Sequence, residues 1–119
     1  MSLTDIVDAA DEKYIYLTTT GRKTNNPHTV DLWFAVAGGK IYLSHEGAFT
    51  DWMKNIIKDD NVEFRIGNHR FKGKARMFPN GAAFEIGKNA LYFKYYGNAN
   101  KDVIDDWFSE STIVEITSI

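Results

Sequence analysis

The chain has 119 residues, of which 44% are hydrophobic, 25% charged and 14% aromatic. Fourteen Lys and Arg against sixteen Asp and Glu give a formal charge of -2, whereas a general nucleic-acid-binding protein is normally basic. We therefore expect no nucleic-acid partner. The length and the near-average composition predict one domain over residues 1–119, and they exclude disordered and low-complexity architectures.

The sequence contains no cysteine, which excludes disulfides, thiolate nucleophiles and cysteine-held zinc or iron–sulfur centres. The histidines His28, His45 and His69 show no helical metal-ligand spacing, so we expect no metal site. No apolar run approaches a membrane span, and Met1–Ala10 lacks the basic start and apolar middle of a signal peptide. We therefore expect a cytoplasmic protein without a membrane span.

The hydrophobic pattern alternates between strand and helix periods along the chain. Turn-forming residues separate the segments, above all the polar loop Gly21–Pro27 and the hairpin signal Gly38-Gly39. In chain order the predicted elements are a helix capped by Ser2 that runs to about Ala10, strands over Tyr14–Thr20, His28–Ala37 and Lys40–Ser44, a helix capped by Thr50 that ends at Asp59, strands over Val62–Ile66 and Phe71–Met77, helices over Ala82–Tyr95 and around Val103–Phe108, and a final strand over Ile113–Thr117.

Six strands joined mainly by tight turns, with a few intervening helices, favour a mainly β fold with helices. This order of elements is typical of an antiparallel barrel and not of a doubly wound parallel sheet. The core of such a small barrel leaves many aromatic side chains without partners. We therefore expect a homodimer whose interface covers part of this aromatic excess.

The loop between the first two predicted strands carries Arg22 and Lys23, beside Thr24. Arginine offers a planar fork of donors and lysine a mobile positive charge, so the loop suits a phosphate or a carboxylate. An ordinary exposed turn is the alternative interpretation of these residues.

A second segment, residues 44–55, links a strand end to a helix start, where free backbone N–H groups favour anions. Trp52 and Asn55 are three residues apart and therefore share one helical face. The indole suits packing on a ring or a loop, and the amide suits a polar tail or a loop. The alternative is a core tryptophan and a loop-bracing asparagine. Ser44 and His45 are neighbours whose side chains point to opposite sides of a strand, which argues against a Ser–His hydrolase.

Together the two segments resemble the deazaflavin-dependent nitroreductase family. This family belongs to the split β-barrel flavin-binding superfamily, which includes the pyridoxamine 5'-phosphate oxidase-like proteins. Nearly the whole chain is covered. The residues that carry the resemblance are Thr19-Thr20-Gly21-Arg22-Lys23-Thr24, Pro27, Leu32-Trp33-Phe34, Ser44, Gly47, Trp52 and Asn55.

The resemblance implies a six-stranded antiparallel split β-barrel of the FMN-binding type, usually a homodimer, that holds coenzyme F420 or FMN. The Trp-x-x-Asn helix favours the deazaflavin. Asp31 stands where the family commonly has Pro, and His45 where it commonly has Lys, so the choice of cofactor stays open. The implied cofactor-binding residues are Arg22, Lys23 and Thr24 for a phosphate or acidic tail, Ser44, His45 and Gly47 for the ring or linker, and Trp52 and Asn55 as support.

The activity that the resemblance implies is hydride transfer between the bound cofactor and a small quinone-like, nitro or enone acceptor. Tyr92, Tyr95 and Tyr96 are candidate substrate-side residues, since a phenol can donate a hydrogen bond to a reducible group. Three core or interface tyrosines are the alternative. The competing functions are a non-catalytic flavin- or haem-binding split barrel, a pyridoxamine 5'-phosphate oxidase-like FMN protein, and a structural barrel with a degenerate site.

Overall fold

The computed structural model describes Ile6 and residues 9–119, and over this part of the chain it contains seven β-strands and three α-helices. The first predicted helix, from Ser2 to about Ala10, lies mostly outside the described residues, and Ala9–Asp11 form a short 3-10 turn. The strands are β1 Tyr14–Thr20, β2 Pro27–Trp33, β3 Ala35–Ala37, β4 Lys40–Glu46, β5 Asn61–Ile66, β6 His69–Phe78 and β7 Ser111–Ser118, and the helices are α1 Asp51–Lys58, α2 Ala82–Tyr96 and α3 Lys101–Trp107.

All seven strands pair antiparallel in one sheet of order β2-β1-β5-β6-β7-β4-β3. The two edge strands, β2 and β3, are consecutive in the chain and are separated only by Phe34. One segment of chain therefore pairs with β1 by its first half and with β4 by its second half, which requires the sheet to curl into a partial barrel.

The mainly β class and the antiparallel pairing agree with the sequence prediction, but six strands are not confirmed. The predicted strand His28–Ala37 is divided at Phe34, which leaves the ladder. Its N–H donates to the hydroxyl of Tyr95 at 3.0 Å, and the same hydroxyl lies 2.9 Å from its carbonyl oxygen. Because a tyrosine replaces a strand as the backbone partner, the apolar run can change its direction without leaving buried polar groups unpaired.

The inner face of the curled sheet holds the main hydrophobic core. Strands β1 and β5 alternate buried and exposed positions, as the sequence pattern predicts. Helix α1 closes one end of the core through Trp52, Met53 and Ile56, which are at most 6% exposed. This packing fixes the helix next to the loop that follows β1.

A second, smaller core lies on the outer face of the sheet, where α2 and α3 pack over β3, β4 and β7. Gly87 marks the closest approach, because a Cβ there would lie 2.6 Å from Cγ2 of Ile113 and 2.8 Å from Cδ1 of Tyr42. The outer face of β1, β5 and β6 is open instead, and it contains a hollow of about 530 Å³ beside the half-exposed ring of Tyr16.

A charged cluster ties α2 to α3 beside this second core. The ammonium group of Lys88 is nearly buried and pairs with Glu85 at 2.5 Å and with Asp105, which also pairs with Lys101. Burial alone lowers the pKa of Lys88, but its bonds to the two carboxylates outweigh this effect and raise the pKa. A nearly buried ammonium is costly to leave unpaired, so the bond between Lys88 and Asp105 helps to fix how the helices meet.

We expect Gly87→Ala to destabilise the fold by about 1–3 kcal/mol, because overpacking at the sheet outweighs the gain of about 1 kcal/mol in helix propensity. Chemical denaturation measures the free energy of unfolding. Asn89→Ala, at an exposed position of the same helix, is the control and is expected to change it by less than about 0.5 kcal/mol. A Gly87 variant as stable as the wild type would contradict the close packing of α2.

Candidate functional site

The loop between β1 and β2 is a compact turn closed by its own backbone. The N–H of Gly21 donates to the carbonyl of Asn26 at 2.8 Å, and the N–H of Asn25 donates to the carbonyl of Gly21 at 2.8 Å. Gly21 leaves no room for a side chain, since a Cβ would lie 2.7 Å from Nε2 of His28 and 2.9 Å from the carbonyl oxygen of Asn26. The glycine thus allows the loop to fold tightly and to present the residues after it.

Asn55 connects this loop to α1. Its side chain is 2% exposed, and its Oδ1 accepts from the backbone N–H of Arg22 at 3.1 Å and from Nη1 of the same residue at 3.0 Å. Its Nδ2 donates to Oγ1 of the buried Thr19 at 3.1 Å. Every polar atom of the amide therefore has a partner in the β1–β2 segment, and the loop is held against the helix.

The two basic residues of the loop have different surroundings. The guanidinium of Arg22 is shared between Asn55 and Asp51, with Nη2 at 3.1 Å from Oδ1 of Asp51. The ammonium of Lys58 donates to the carbonyl of Arg22 at 2.7 Å. Lys23 is exposed and forms no ion pair with the part of the chain that the structure describes. Its amine is therefore available to an anion.

A cavity of about 410 Å³ lies between this loop and α1, within the size range of small-molecule sites. It contains five of the eight cofactor-binding residues predicted from the sequence, contributed by two segments about thirty positions apart. Its lining residues are Gly21, Arg22, Lys23, Thr24, His28, Thr29, Val30, Asp51, Trp52 and Asn55.

Sequence reasoning did not include His28 or Asp51 in the site. His28 is the second residue of β2 and lies opposite Thr19 in the ladder, so it returns to the loop. Asp51 is the first residue of α1, where its negative charge is favourable for the helix, and this role alone explains its position in the sequence. The register of β2 would have been needed to place His28 in the site, and the orientation of α1 to place Asp51 beside Arg22.

Ser44, His45 and Gly47, the other predicted residues, do not line this cavity. The strand that was predicted to end at Ser44 continues to Glu46, because β4 pairs with β7 through His45 and Thr112. Gly47 follows with a φ of 81°, and its N–H donates to the carbonyl of Glu110 at 3.0 Å. These three residues lie on the approach to α1, outside the cavity.

The candidate tyrosines Tyr92, Tyr95 and Tyr96 lie on α2 in an aromatic cluster, and none lines the cavity. Tyr95 stacks on Trp33 at 4.2 Å between ring centroids. Its hydroxyl oxygen lies 2.7 Å from the carbonyl of Lys13, in addition to its contacts with Phe34. Burial raises the pKa of Tyr95. This hydroxyl is therefore used within the fold.

Tyr92 and Tyr96 form the open side of the same cluster. Their rings lie 6.1 Å and 5.0 Å from the ring of Trp107, which is 54% exposed. Tyr96 also lies 6.0 Å from Trp33. Their arrangement provides a partly exposed aromatic surface rather than a convergent polar site.

Lys94 lies beneath this cluster, with its ammonium 3.5 Å from the centroid of the Phe34 ring and 2.6 Å from the carbonyl of Glu12. Partial burial lowers its pKa to about 8, although the charges of Asp11 and Glu12 act in the opposite direction. The ring of Tyr95, at 5.2 Å from the ammonium, is a further partner of the cation.

The described residues contain no group of three His, Asp or Glu side chains placed to hold a metal ion. Among the same residues, no helix has the length and hydropathy needed to cross a membrane.

The structure thus combines a curled antiparallel sheet with a basic loop and a helix that surround one cavity. Comparison with known proteins identifies the family of this chain. The family model described as F420H(2)-dependent quinone reductase matches residues 6–98. The chain therefore belongs to this family, which confirms the resemblance to deazaflavin-dependent reductases. No curated protein matches the sequence significantly.

Many solved structures share the fold, among them the following three. The conserved hypothetical protein Rv2991 from Mycobacterium tuberculosis is 23% identical, with a TM-score of 0.81 over 99% of this chain and 81% of that chain. A structure described as F420-H2 dependent reductase (FDR-A) is 16% identical, with a TM-score of 0.71 over 88% of this chain and 94% of that chain. A putative pyridoxamine 5'-phosphate oxidase from Listeria innocua is 12% identical, with a TM-score of 0.68 over 98% of this chain and 92% of that chain.

The hydrogen bonds by which Asn55 holds the β1–β2 loop against α1, called the brace below, lead to a first prediction for the site. Asn55→Ala leaves the backbone N–H of Arg22 and the hydroxyl of Thr19 without this partner, so we expect a loss of about 1–3 kcal/mol in the free energy of unfolding. We also expect faster hydrogen exchange at the Arg22 amide. Asn61→Ala, at an exposed asparagine, is the control. Unchanged exchange at Arg22 would contradict the brace.

The environment of Lys94 predicts a pH effect. Its pKa is about 8 in the folded chain, below its ordinary value of 10.5, so the unfolded chain binds more protons between these values. Its contribution to stability should therefore rise as the pH increases from about 8 to 10.5. Lys94→Met should remove this rise, measured by urea denaturation across that pH range. A variant with the same slope as the wild type would contradict this assignment.

Proposed function

We propose that the protein is a deazaflavin-dependent oxidoreductase, located in the cytoplasm, that transfers a hydride from reduced coenzyme F420 to a small quinone-like, nitro or enone acceptor. The family supports the deazaflavin and the class of reaction. The observation that carries the proposal at the level of residues is the cavity lined both by Lys23, which has no ion-pair partner among the described residues, and by the start of α1. FMN is the alternative cofactor, and it is an explicit outcome of the test below.

The chemistry of the cavity lining fits a phosphate-bearing cofactor. Lys23 supplies an uncompensated positive charge, Thr24 a hydroxyl and the turn after Gly21 a polar rim. Trp52 and Val30 add apolar surface on the other walls. When bound, the cofactor supplies the hydride, while the protein supplies orientation, charge and access.

Each residue in the cavity has a distinct proposed role. Lys23 contacts the phosphate directly, because its amine has no ion-pair partner among the described residues. Arg22 shapes the loop and adds positive charge behind it, since its guanidinium is held by Asp51 and Asn55. Trp52 forms a fixed wall, because it is 6% exposed and belongs to the main core.

The residues outside the cavity have separate proposed roles. Ser44, His45 and Gly47 remain proposed contacts of the ring or linker, since the connection from β4 leads directly to Asp51 at the start of α1. Tyr92 and Tyr96 remain proposed acceptor-side residues. The hydroxyl of Tyr95 is committed to backbone atoms, so we propose that this residue positions the bend at Phe34.

We further propose that the protein is a homodimer. The outer face of β1, β5 and β6 is open and carries a hollow of about 530 Å³, whereas helices cover the opposite half of the same sheet. Tyr14 and Tyr16 are 38% and 37% exposed on this face. A second copy would remove these rings from water, which stabilises an interface.

Titration with coenzyme F420 and with FMN, each followed by fluorescence, tests the proposed function. We expect F420 to bind, and its reduced form to be oxidised by a quinone in the presence of the protein. Lys23→Ala should weaken F420 binding about 10- to 100-fold, because it removes one charge-assisted contact worth about 1.5–3 kcal/mol.

Lys74→Ala is the matched control, since it removes an exposed lysine on β6 that does not line the cavity. It should leave the affinity unchanged within about twofold. A wild-type protein that binds FMN but not F420 would contradict the choice of cofactor. A protein that binds neither would reject the proposed function, and binding of F420 without turnover of any acceptor would favour a non-catalytic binding protein.

A further inference from the structure

Two of the charges around the cavity oppose each other. Four ionisable side chains line it: Arg22, Lys23, His28 and Asp51. Arg22 and Asp51 form an ion pair at 3.1 Å, so their charges largely cancel at the distance of a bound ligand. The three ionisable residues other than His28, namely Arg22, Lys23 and Asp51, give the lining one net positive charge, and the unpaired charge is on Lys23.

Arg22 is fixed in this pair by two acceptors. Its side chain is 25% exposed, and Nη1 and Nη2 donate to the side-chain oxygens of Asn55 and Asp51. The guanidinium must break the ion pair before both of these nitrogens can face a phosphate as a fork. The carboxylate of Asp51 is 86% exposed, so it stays in contact with solvent at the rim of the cavity. An incoming anion therefore meets a negative charge beside the positive charge of Lys23.

We infer that Asp51 is a specificity-determining residue that selects ligands by the charge of their phosphate. It reduces the positive charge of the cavity to one, which matches a singly charged phosphodiester. A phosphomonoester carries nearly two negative charges at neutral pH, so one of them exceeds the net charge of the lining and is repelled by Asp51. This inference rests on the proposed function, because it concerns the phosphate of the same cofactor.

The inference connects the cavity to the choice between the two cofactors. Coenzyme F420 carries its phosphate as a diester, whereas FMN carries a monoester. The ion pair between Asp51 and Arg22 favours the diester over the monoester, as far as the charge of the phosphate group is concerned. This effect of the phosphate charge does not depend on how the ring is bound, so the two can be tested separately.

The test compares two ligands that differ in one charge and one methyl group: FMN and its phosphate monomethyl ester. Dissociation constants are measured at pH 7.5 for the wild type and for Asp51→Asn, which keeps an acceptor for Arg22 and removes the charge. We expect the substitution to tighten FMN binding about tenfold and ester binding about threefold. Asp51→Glu keeps the charge and should retain the wild-type ratio of the two affinities.

Asp60→Asn is the matched control, since it removes the same charge from an exposed aspartate just after α1 that does not line the cavity. It should change neither affinity by more than about twofold. Thermal unfolding of each variant verifies that it is folded before binding is compared.

The possible failures are distinct. Asp51→Asn that changes both affinities by the same factor, or changes neither, overturns the role of Asp51 even if F420 binds normally to the wild type. Wild-type protein that binds F420, FMN and the ester with no measurable affinity overturns the proposed function and this inference together. A loss of binding in Asp51→Asn would assign the residue a structural role in the loop and would also overturn the inference.

Discussion

The fit between the β1–β2 loop and helix α1 depends on one buried amide. Asn55 uses its oxygen for the backbone and guanidinium of Arg22 and its nitrogen for Thr19, so the loop and the helix are joined through an amide that is itself buried. Buried polar groups of this kind are costly when unpaired, so the arrangement is held in one geometry. The cavity of the candidate site is the space between these two elements, and its shape follows from this contact.

The curl of the sheet supplies the second constraint. Because β2 and β3 are halves of one segment that bends at Phe34, the two edges of the sheet meet at one corner. The hydroxyl of Tyr95, a residue of α2, is the hydrogen-bond partner of the backbone N–H and carbonyl of Phe34 at this corner. The aromatic cluster on α2 therefore has a partly structural role. Of the three candidate tyrosines, Tyr95 stabilises the bend at Phe34.

The two halves of the outer face have different partners. Helices α2 and α3 cover β3, β4 and β7, and the close packing at Gly87 shows that this contact is intimate. The outer face of β1, β5 and β6 instead contains a hollow, and β1 carries the partly exposed rings of Tyr14 and Tyr16. The fold therefore separates a closed half from an open half, with the basic loop at the end of the strand β1.

The sequence by itself determined the order of strands and helices, the antiparallel class, the family, and the two segments that contribute to the cavity. These depend on local signals: alternation over β5, the turn residues of Gly21–Pro27, and the spacing of Trp52 and Asn55. Only the tertiary structure decided that the second strand divides at Phe34, that Arg22 is paired with Asp51, that His28 enters the cavity and that the strand ending at Ser44 continues through His45 to Glu46. Each of these depends on contacts between residues distant in the chain, such as Phe34 with Tyr95 and Arg22 with Asp51. A periodic pattern shows which face of a segment is apolar, but it does not show which distant group will satisfy its polar atoms.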